Sequence, residues 1–289
     1  MAFELGVRHH LVVLTAAAAV AAGCGAGPPT PAQVAQSPRA AQPAPLDPAI
    51  APITRRQGPA GPHDAPVAVL MYHVIGTAPA GAPNAGLWVP RARFAADMAA
   101  MARRGYHAVT LSRVYSAWHG RATLPGRPFV VSFDDGYESQ YLDARVVLDR
   151  LGWPGVLNLE VHNVGLAGGL SRAEVAGLIR DGWEIAAHTL THPDLTTLDS
   201  VALRREVGGS RRWLRRVFGV PVRFFAYPAG RYDARVEAAV RNAGFEGAVT
   251  TQPGIASPRD DRYALPRVRV TPDMTGRGVA ALARGSSRR

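Results

Sequence analysis

Short, almost uninterrupted apolar runs separated by helical patterns recur along the chain from residue 65 onward. Six of these runs are predicted as strands: residues 67–72, 129–133, 155–161, 183–187, 223–227 and 245–250. Uninterrupted apolar runs are typical of parallel strands that are covered on both faces. Regular alternation of strands and helices over one domain favours an α/β barrel or a doubly wound sheet. Either fold places its chemistry at the carboxyl ends of the strands.

The segments between the runs are predicted as helices. Residues 139–151 form one of them, with a shared apolar face made of Leu142, Val146 and residues 148–151. Ser171 and Glu174 form a capping-box pattern that opens the next helix. The strands and helices together predict one α/β domain.

Two adjacent carboxylates end the second apolar run, where the chain reads Asp134-Asp135-Gly136. Neighbouring carboxylates repel each other and need a cation or a shared proton. In a metal site one of them can ligate while the other stays free as a general base. Alternatively, an aspartate at a strand-to-helix turn simply caps the following helix.

Two histidines, His188 and His192, follow the fourth run. Their spacing brings both imidazoles to one side if the backbone coils after the strand, and Pro193 prevents a long helix there. Imidazole and carboxylate are common metal ligands. With the aspartate pair, they predict three metal ligands and one spare carboxylate, which suits a metal-assisted hydrolase.

These motifs resemble the polysaccharide deacetylase family, also called the NodB-homology domain or carbohydrate esterase family 4. The matching segments are Ser-Phe-Asp-Asp-Gly at 132–136, His-Thr-Leu-Thr-His-Pro at 188–193 and Phe-Phe-Ala-Tyr-Pro-Ala-Gly at 224–230. The resemblance spans most of the chain after residue 66 and implies a distorted (β/α) barrel with a single catalytic domain. Met71-Tyr72-His73 is similar to the branch that acts on poly-N-acetylglucosamine.

The resemblance implies a role for each matching residue. A divalent metal, usually zinc, would be held by Asp135, His188 and His192. Asp134 would be the general base, and the backbone N–H of Ala229 would stabilise the oxyanion. Three neighbours of Ala229 are assigned to substrate binding: Tyr227, Pro228 and Gly230.

Two groups that family members often carry are missing. The arginine that braces the catalytic aspartate is replaced by Ala226, so Arg267 is expected to take its place, with Arg231 as the alternative. The general-acid histidine near the C-terminus has no counterpart, because no histidine follows residue 192. His73 is the preferred candidate for the acid, and His162 is the second.

The expected activity is metal-dependent hydrolysis of a non-peptide C–N bond, which removes N-acetyl groups from an N-acetylglucosamine polymer. An O-acetyl polysaccharide esterase could use the same site. Alternatively, the protein could be a catalytically silent, carbohydrate-binding lipoprotein, which would explain why the bracing arginine and the general-acid histidine are missing.

Trp88 and Trp153 are predicted in loops, where their rings could stack on a sugar, whereas Trp183 and Trp213 are assigned to packing.

The N-terminal segment predicts export. Residues 11–22 are apolar, too short to span a bilayer comfortably and of the right length for a signal-peptide core. The following Cys24 completes a sequence that resembles a lipoprotein lipobox; the alternative is a plain secretory signal with an incidental cysteine. Three segments are predicted in consequence: a signal peptide at 1–23, a Pro/Ala-rich disordered tether at 24–64 and the deacetylase domain at 65–289. The protein is expected to be lipid-anchored to the cell membrane through Cys24, facing the extracellular or periplasmic side.

The basic residues are all arginines, and they give the chain a net charge of +11. Such a charge implies attraction to anionic surfaces. The densest basic run, at residues 204–216, lacks the patterns of RNA-binding modules, so it is interpreted as a solvated helix face and nucleic acid is not an expected partner. The expected partners are the polysaccharide and the membrane, and the protein is expected to be a monomer.

Overall fold

The computed structural model describes residues 60–283 of the 289-residue chain. The predicted signal peptide, the lipidation site Cys24 and most of the predicted tether lie outside the described residues. Ala60–Gly61 pairs antiparallel with Leu124–Pro125, so regular pairing begins before the predicted boundary at residue 65. None of the helices in residues 60–283 combines the length and apolar character that a membrane crossing requires.

Within the described residues, seven parallel strands close into a barrel. They are β1 (Ala68–Tyr72), β2 (Pro128–Asp135), β3 (Val156–Leu159), β4 (Glu184–Ala187), β5 (Phe224–Ala226), β6 (Gly247–Pro253) and β7 (Leu265–Arg269). Their order is β1-β7-β6-β5-β4-β3-β2, and β2 pairs back with β1. The distorted (β/α) barrel is confirmed, because a doubly wound sheet would leave two open edges.

Seven α-helices accompany these strands in the described part of the chain. They are α1 (Arg91–Arg103), α2 (Leu111–Trp118), α3 (Arg145–Leu151), α4 (Arg172–Arg180), α5 (Ser200–Phe218), α6 (Ala234–Asn242) and α7 (Gly276–Leu282). The shorter elements are strands Val74–Ile75, Trp88–Val89 and His107–Ala108, 3-10 helices Ala85–Leu87, Leu195–Thr197 and Pro228–Gly230, and a π-helix at Gln140–Ala144. The capping box of Ser171 and Glu174 is confirmed at the start of α4.

Helix α2 covers the amino-terminal end of the barrel. Its residues Val114 and Tyr115 share an apolar cluster with the barrel-interior residues Val130 and Phe224. The backbone N–H of Ser112 donates to the carboxylate of Glu184 at 3.0 Å. Access to the barrel interior is therefore restricted at this end.

The barrel interior changes from apolar to polar along β2. Phe129 and Phe133 pack in the large core cluster that includes residues of the surrounding helices, whereas Val130 faces the interior cluster. Side chains two residues apart along a strand lie on the same face, so Ser132 and Asp134 face the barrel interior with Val130. Both are buried polar residues. Polar groups therefore collect inside the barrel at the carboxyl ends of the strands.

The six predicted strands are present, but β7 has no counterpart among them. Pro266 and Arg267 interrupt its apolar pattern, and a proline in such a pattern argues against a central strand. Strand β7 nonetheless pairs parallel with both β6 and β1 and completes the barrel.

The predicted apolar face of residues 139–151 is confirmed at Leu148 and Leu151, which are buried in the core, and is wrong for its first half. Leu142 is 37% exposed, and Val147 is fully buried in place of Val146. The cause is the π-helix at Gln140–Ala144, whose i→i+5 bonding widens the turn and rotates the following residues. Gln140, the first residue of the π-helix, is fully buried.

The sugar-stacking role proposed for Trp88 and Trp153 is also contradicted. Their exposed fractions are only 5% and 8%, and Trp153 packs edge-on against Phe129. Neither ring can offer a face to a pyranose. Trp183 is a packing residue as expected, because its ring stacks on Phe133 inside the core.

Candidate active site

Asp135, His188 and His192 converge at the carboxyl end of the barrel. The Nε2 atoms of His188 and His192 lie 3.4 and 3.6 Å from Oδ1 of Asp135. Ligand atoms held about 2.0–2.1 Å from a tetrahedral zinc lie roughly 3.4 Å apart, so these separations suit a shared ion. Among the described residues, Oδ1 of Asp135 is buried without a hydrogen-bond partner. The three residues form a cluster that could hold a metal ion.

The two histidines can present the Nε2 lone pair to such an ion. Nδ1 of His188 lies 2.7 Å from the carbonyl oxygen of Ala226, which can only accept, so Nδ1 carries the proton. Burial disfavours charge on His188, but Asp135 and Asp134 outweigh it and raise the pKa of His188. Burial and the nearby His188 lower the pKa of His192 to about 4. His192 is therefore neutral at neutral pH, and metal binding would displace a proton from His188.

The loop after β4 holds the histidines in this arrangement. The carboxylate of Glu206 accepts hydrogen bonds from the backbone N–H groups of Leu190 and Thr191, at 2.9 and 3.0 Å. The N–H of His192 donates to Oγ1 of Thr189 at 2.9 Å. Thr189 and His192 both adopt positive φ, at 68° and 56°. This tight coil brings the two imidazoles to one side, at a ring-centroid distance of 4.8 Å.

Asp134 occupies the barrel interior and is bound by Arg267. Nη1 and Nη2 of Arg267 donate to Oδ1 and Oδ2 of Asp134, each at 2.8 Å. Burial alone would raise the pKa of Asp134, but the Arg267 ion pair reverses the effect and holds the pKa far below its ordinary value. The predicted contact of Arg267 with Asp134 is therefore present. Arg231, the alternative, instead pairs with Asp194 at 2.7 Å.

His73 lies beside Asp134 at the end of β1. Its Nε2 is 3.7 Å from Oδ2 of Asp134. Burial lowers the pKa of His73, against the opposing effect of Asp134 and Asp135, so the imidazole is neutral at neutral pH. The separation between Nε2 and Oδ2 exceeds a direct hydrogen bond, so a proton could pass between His73 and Asp134 through one water molecule. Neutral His73 does not start as a charged acid.

Strand β3 and the residue that follows it supply two polar residues that the sequence analysis missed. Asn158 lies opposite Asp134 in the strand register and donates from Nδ2 to Oδ1 of Asp134 at 2.7 Å. Glu160 lies two residues after Asn158 and is 1% exposed. Burial, together with the negative charge of Asp135, raises the pKa of Glu160 to about 8. His162, the second candidate acid, is exposed. The available signal was a lone asparagine inside an apolar run, two residues before a carboxylate.

The turn after β5 lies at the same end of the barrel. Ala229 is exposed and adopts a φ of 51°. Gly230 has a φ of 71°, and a Cβ there would lie 2.0 Å from Oγ1 of Thr251, so the turn requires glycine. Tyr227 does not fit its assigned role in substrate binding, because it is fully buried and its hydroxyl donates to the carbonyl of Tyr263. Pro228 is buried as well.

Comparisons with known proteins agree with this barrel. The family model described as polysaccharide deacetylase matches residues 121–248. The Bacillus subtilis relative YxkH is 29% identical over 213 residues, which cover 74% of each chain. The deacetylase PplD of Streptococcus pyogenes, solved in complex with acetate, superposes with a TM-score of 0.72 at 25% identity, over 76% of this chain and 99% of PplD.

Two further solved structures are similar over the same share of the chain. A polysaccharide deacetylase from Bacillus cereus has a TM-score of 0.68 at 29% identity, over 76% of this chain and 69% of its own. IcaB from Ammonifex degensii has a TM-score of 0.64 at 27% identity, over 76% of this chain and 97% of its own. Residues 121–248 match the polysaccharide deacetylase family model, and the closed parallel barrel is similar to the solved deacetylase structures.

Proposed function

We propose that the protein is a metal-dependent deacetylase that removes N-acetyl groups from N-acetylglucosamine-containing polysaccharide at the bacterial cell envelope. The observation that carries this proposal is that the two adjacent carboxylates contact different partners. Asp135 faces the two histidines, whereas Asp134 is bound by Arg267 inside the barrel. One carboxylate is thus placed to ligate and the other to act as a base. The acetate bound to PplD, the product of a deacetylation, supports the reaction class.

We propose zinc as the metal at Asp135, His188 and His192, because two imidazoles and one carboxylate are a common ligand set of catalytic zinc. A divalent cation bound there polarises the acetyl carbonyl and lowers the pKa of water. The buried, unpartnered Oδ1 of Asp135 supports this assignment.

Asp134 is proposed to accept the proton of the attacking water at Oδ2. Its Oδ1 accepts from both Arg267 and Asn158, whereas Arg267 is the one hydrogen-bond donor to Oδ2 among the described residues. Oδ2 also faces Nε2 of His73. Neutral His73 can receive the proton and deliver it to the nitrogen as the C–N bond breaks, so the amine leaves uncharged. The backbone N–H of Ala229 is proposed as the oxyanion donor.

Removing the metal should abolish deacetylation. We expect a chelator to lower the rate of acetate release from N-acetylglucosamine oligomers by more than about 10²-fold, because a Lewis acid supplies several kcal/mol of transition-state stabilisation. Added Zn²⁺ should restore the rate. His192→Ala should lose zinc affinity in a titration, whereas His162→Ala, which changes an exposed histidine, should retain both affinity and rate.

The same assay includes the outcomes that contradict the proposal. Hydrolysis of acetyl esters without any release from acetamides would identify an esterase instead. Acetate release that withstands both the chelator and His192→Ala would rule out the metal-dependent mechanism.

The envelope location rests on the sequence around Cys24. We expect Cys24→Ser to move the protein from the membrane fraction to the soluble fraction, because the substitution removes the thiol that would carry the lipid. Ser37→Ala, in the same Pro/Ala-rich segment, is the control and should leave the distribution unchanged. Membrane association of Cys24→Ser that stays unchanged in cell fractionation after a high-salt wash, which screens electrostatic binding, would refute the anchor.

A further inference from the structure

A basic groove lies at the amino-terminal end of the barrel, opposite the candidate active site. It encloses a cavity of about 590 Å³ between the end of α5 and the segment that leads into β5. Five arginines line it: Arg211, Arg212, Arg215, Arg216 and Arg223. Glu246 is its one acidic lining residue. We refer to this cavity as the arginine groove.

Most of the positive charge in the arginine groove is not neutralised. Arg223 lies 3.6 Å from the carboxylate of Glu246 and is the one groove arginine found in an ion pair within residues 60–283. Arg211 is directed inward and donates to the carbonyls of Val222 and Ala243, at 2.9 and 3.0 Å. Burial and the adjacent Arg215 lower the pKa of Arg211, because both disfavour its charged form.

Three guanidinium groups therefore remain for an external anion: those of Arg212, Arg215 and Arg216. Guanidinium groups bind phosphate oxygens with paired hydrogen bonds, and a concave surface allows several of them to act on one group. The solvated-face interpretation of residues 204–216 holds for Arg204 and Arg205 and equally for Arg212, Arg215 and Arg216, all of which are exposed. The last three differ from the first two because they line one concave surface.

The position of the groove favours a membrane over a soluble anion. Helix α5 follows β4 and runs back to the amino ends of the strands, where Arg223 directly precedes β5. The described chain enters at this same end, because Gly61 pairs with Leu124 and the carbonyl of Ala65 accepts from Nε1 of Trp118. A membrane in contact with the groove would leave the opposite end of the barrel, which carries the candidate active site, open to a polysaccharide.

We propose that the arginine groove docks on the anionic phospholipid headgroups of the membrane surface. The inference rests on the proposed envelope location, but it does not depend on the deacetylation chemistry. Each arginine near an anionic bilayer strengthens partitioning about fivefold, so the three available groups together give about 10²-fold.

Two matched triple variants test the groove. The groove variant is Arg212→Ala/Arg215→Ala/Arg216→Ala. The control is Arg204→Ala/Arg205→Ala/Arg277→Ala, which removes the same charge from exposed positions in the amino-terminal halves of α5 and α7. Both are made in the full chain with Cys24→Ser, so that no lipid anchor contributes, and sedimented with phosphatidylcholine vesicles with and without phosphatidylglycerol.

The groove variant should lose about 10²-fold in its partition coefficient for phosphatidylglycerol vesicles, and the control less than about threefold. Acetate release from soluble oligomers should be unchanged in both, which separates this test from that of the proposed activity. Equal losses in the two variants would show that net charge alone drives binding and would overturn the proposal. Groove-dependent binding of soluble polyphosphate, without a difference on vesicles, would assign the site to a soluble polyanion instead.

Discussion

Replacing Asp134 by asparagine should lower the rate of deacetylation by about 10³-fold while the zinc affinity stays within about tenfold of the wild-type value. Asparagine has nearly the same shape but cannot accept the proton of the attacking water. The three proposed ligand atoms belong to other residues, so the metal should still bind. The substitution also leaves the buried Arg267 without its counter-charge, so activity is measured at a temperature where circular dichroism shows the variant folded.

The matched control for this experiment is Asp135→Asn, the same substitution one residue later. Oδ1 of Asp135 lies within 3.6 Å of both histidine Nε2 atoms, so this variant should lose metal affinity together with activity. Isothermal titration with zinc and acetate-release kinetics on both variants separate a base from a ligand. The assignment of Asp134 as the base and Asp135 as the ligand is wrong if Asp134→Asn keeps more than a tenth of the wild-type rate. It is also wrong if both variants lose the metal equally.

The strands that carry the site could be predicted because burial on both faces produces uninterrupted apolar runs. Asp134, Asp135 and His188 come directly at the ends of such runs, so their meeting at one end of the barrel follows from parallel pairing. Arg267 was harder to identify. Its strand contains Pro266 and shows no clear pattern, and the prediction of Arg267 rests on Ala226 at the usual arginine position. A fully buried arginine inside a barrel has no local signature, since its partner is distant in sequence.

The backbone conformation of the site could not be predicted from the sequence. Four of the six non-glycine residues with positive φ in the described chain lie here: Asp135, Thr189, His192 and Ala229. The left-handed region costs such residues roughly 1–2 kcal/mol each, so no propensity favours it. Tertiary contacts compensate, such as the hydrogen bonds from the loop after β4 to Glu206. The local sequence therefore predicts which side chains form the site better than it predicts the backbone turns that orient them.

Replacing Arg267 by methionine should destabilise the protein by about 3–5 kcal/mol at neutral pH, because removing one partner of a buried ion pair leaves an uncompensated charge. Methionine keeps much of the side-chain volume but none of the donors. Asp134 would lose two hydrogen bonds, and the carbonyl of Thr250 would lose the one it accepts from Nε of Arg267 at 2.7 Å. Urea unfolding of both proteins measures the difference in the free energy of unfolding.

The pH dependence of this difference identifies its cause. In the wild type the pKa of Asp134 is lower in the folded than in the unfolded chain. Its stabilisation is therefore complete above the unfolded pKa of about 4 and is lost as the pH falls below it. Without Arg267, burial raises the folded pKa instead. The ionised carboxyl then penalises folding at neutral pH, and the penalty disappears as the pH falls toward about 4. The gap between Arg267→Met and wild type should consequently narrow on acidification.

Arg231→Met provides the control for this prediction. Arg231 also pairs with an aspartate, Asp194, at 2.7 Å, but its side chain is 52% exposed. Exposed ion pairs contribute less than about 1 kcal/mol, so this variant should stay close to wild type at both pH values. If Arg267→Met costs no more than Arg231→Met, the guanidinium is not what keeps Asp134 ionised inside the barrel. If the gap does not narrow in acid, lost packing rather than the unpaired carboxylate accounts for the destabilisation, because packing does not titrate.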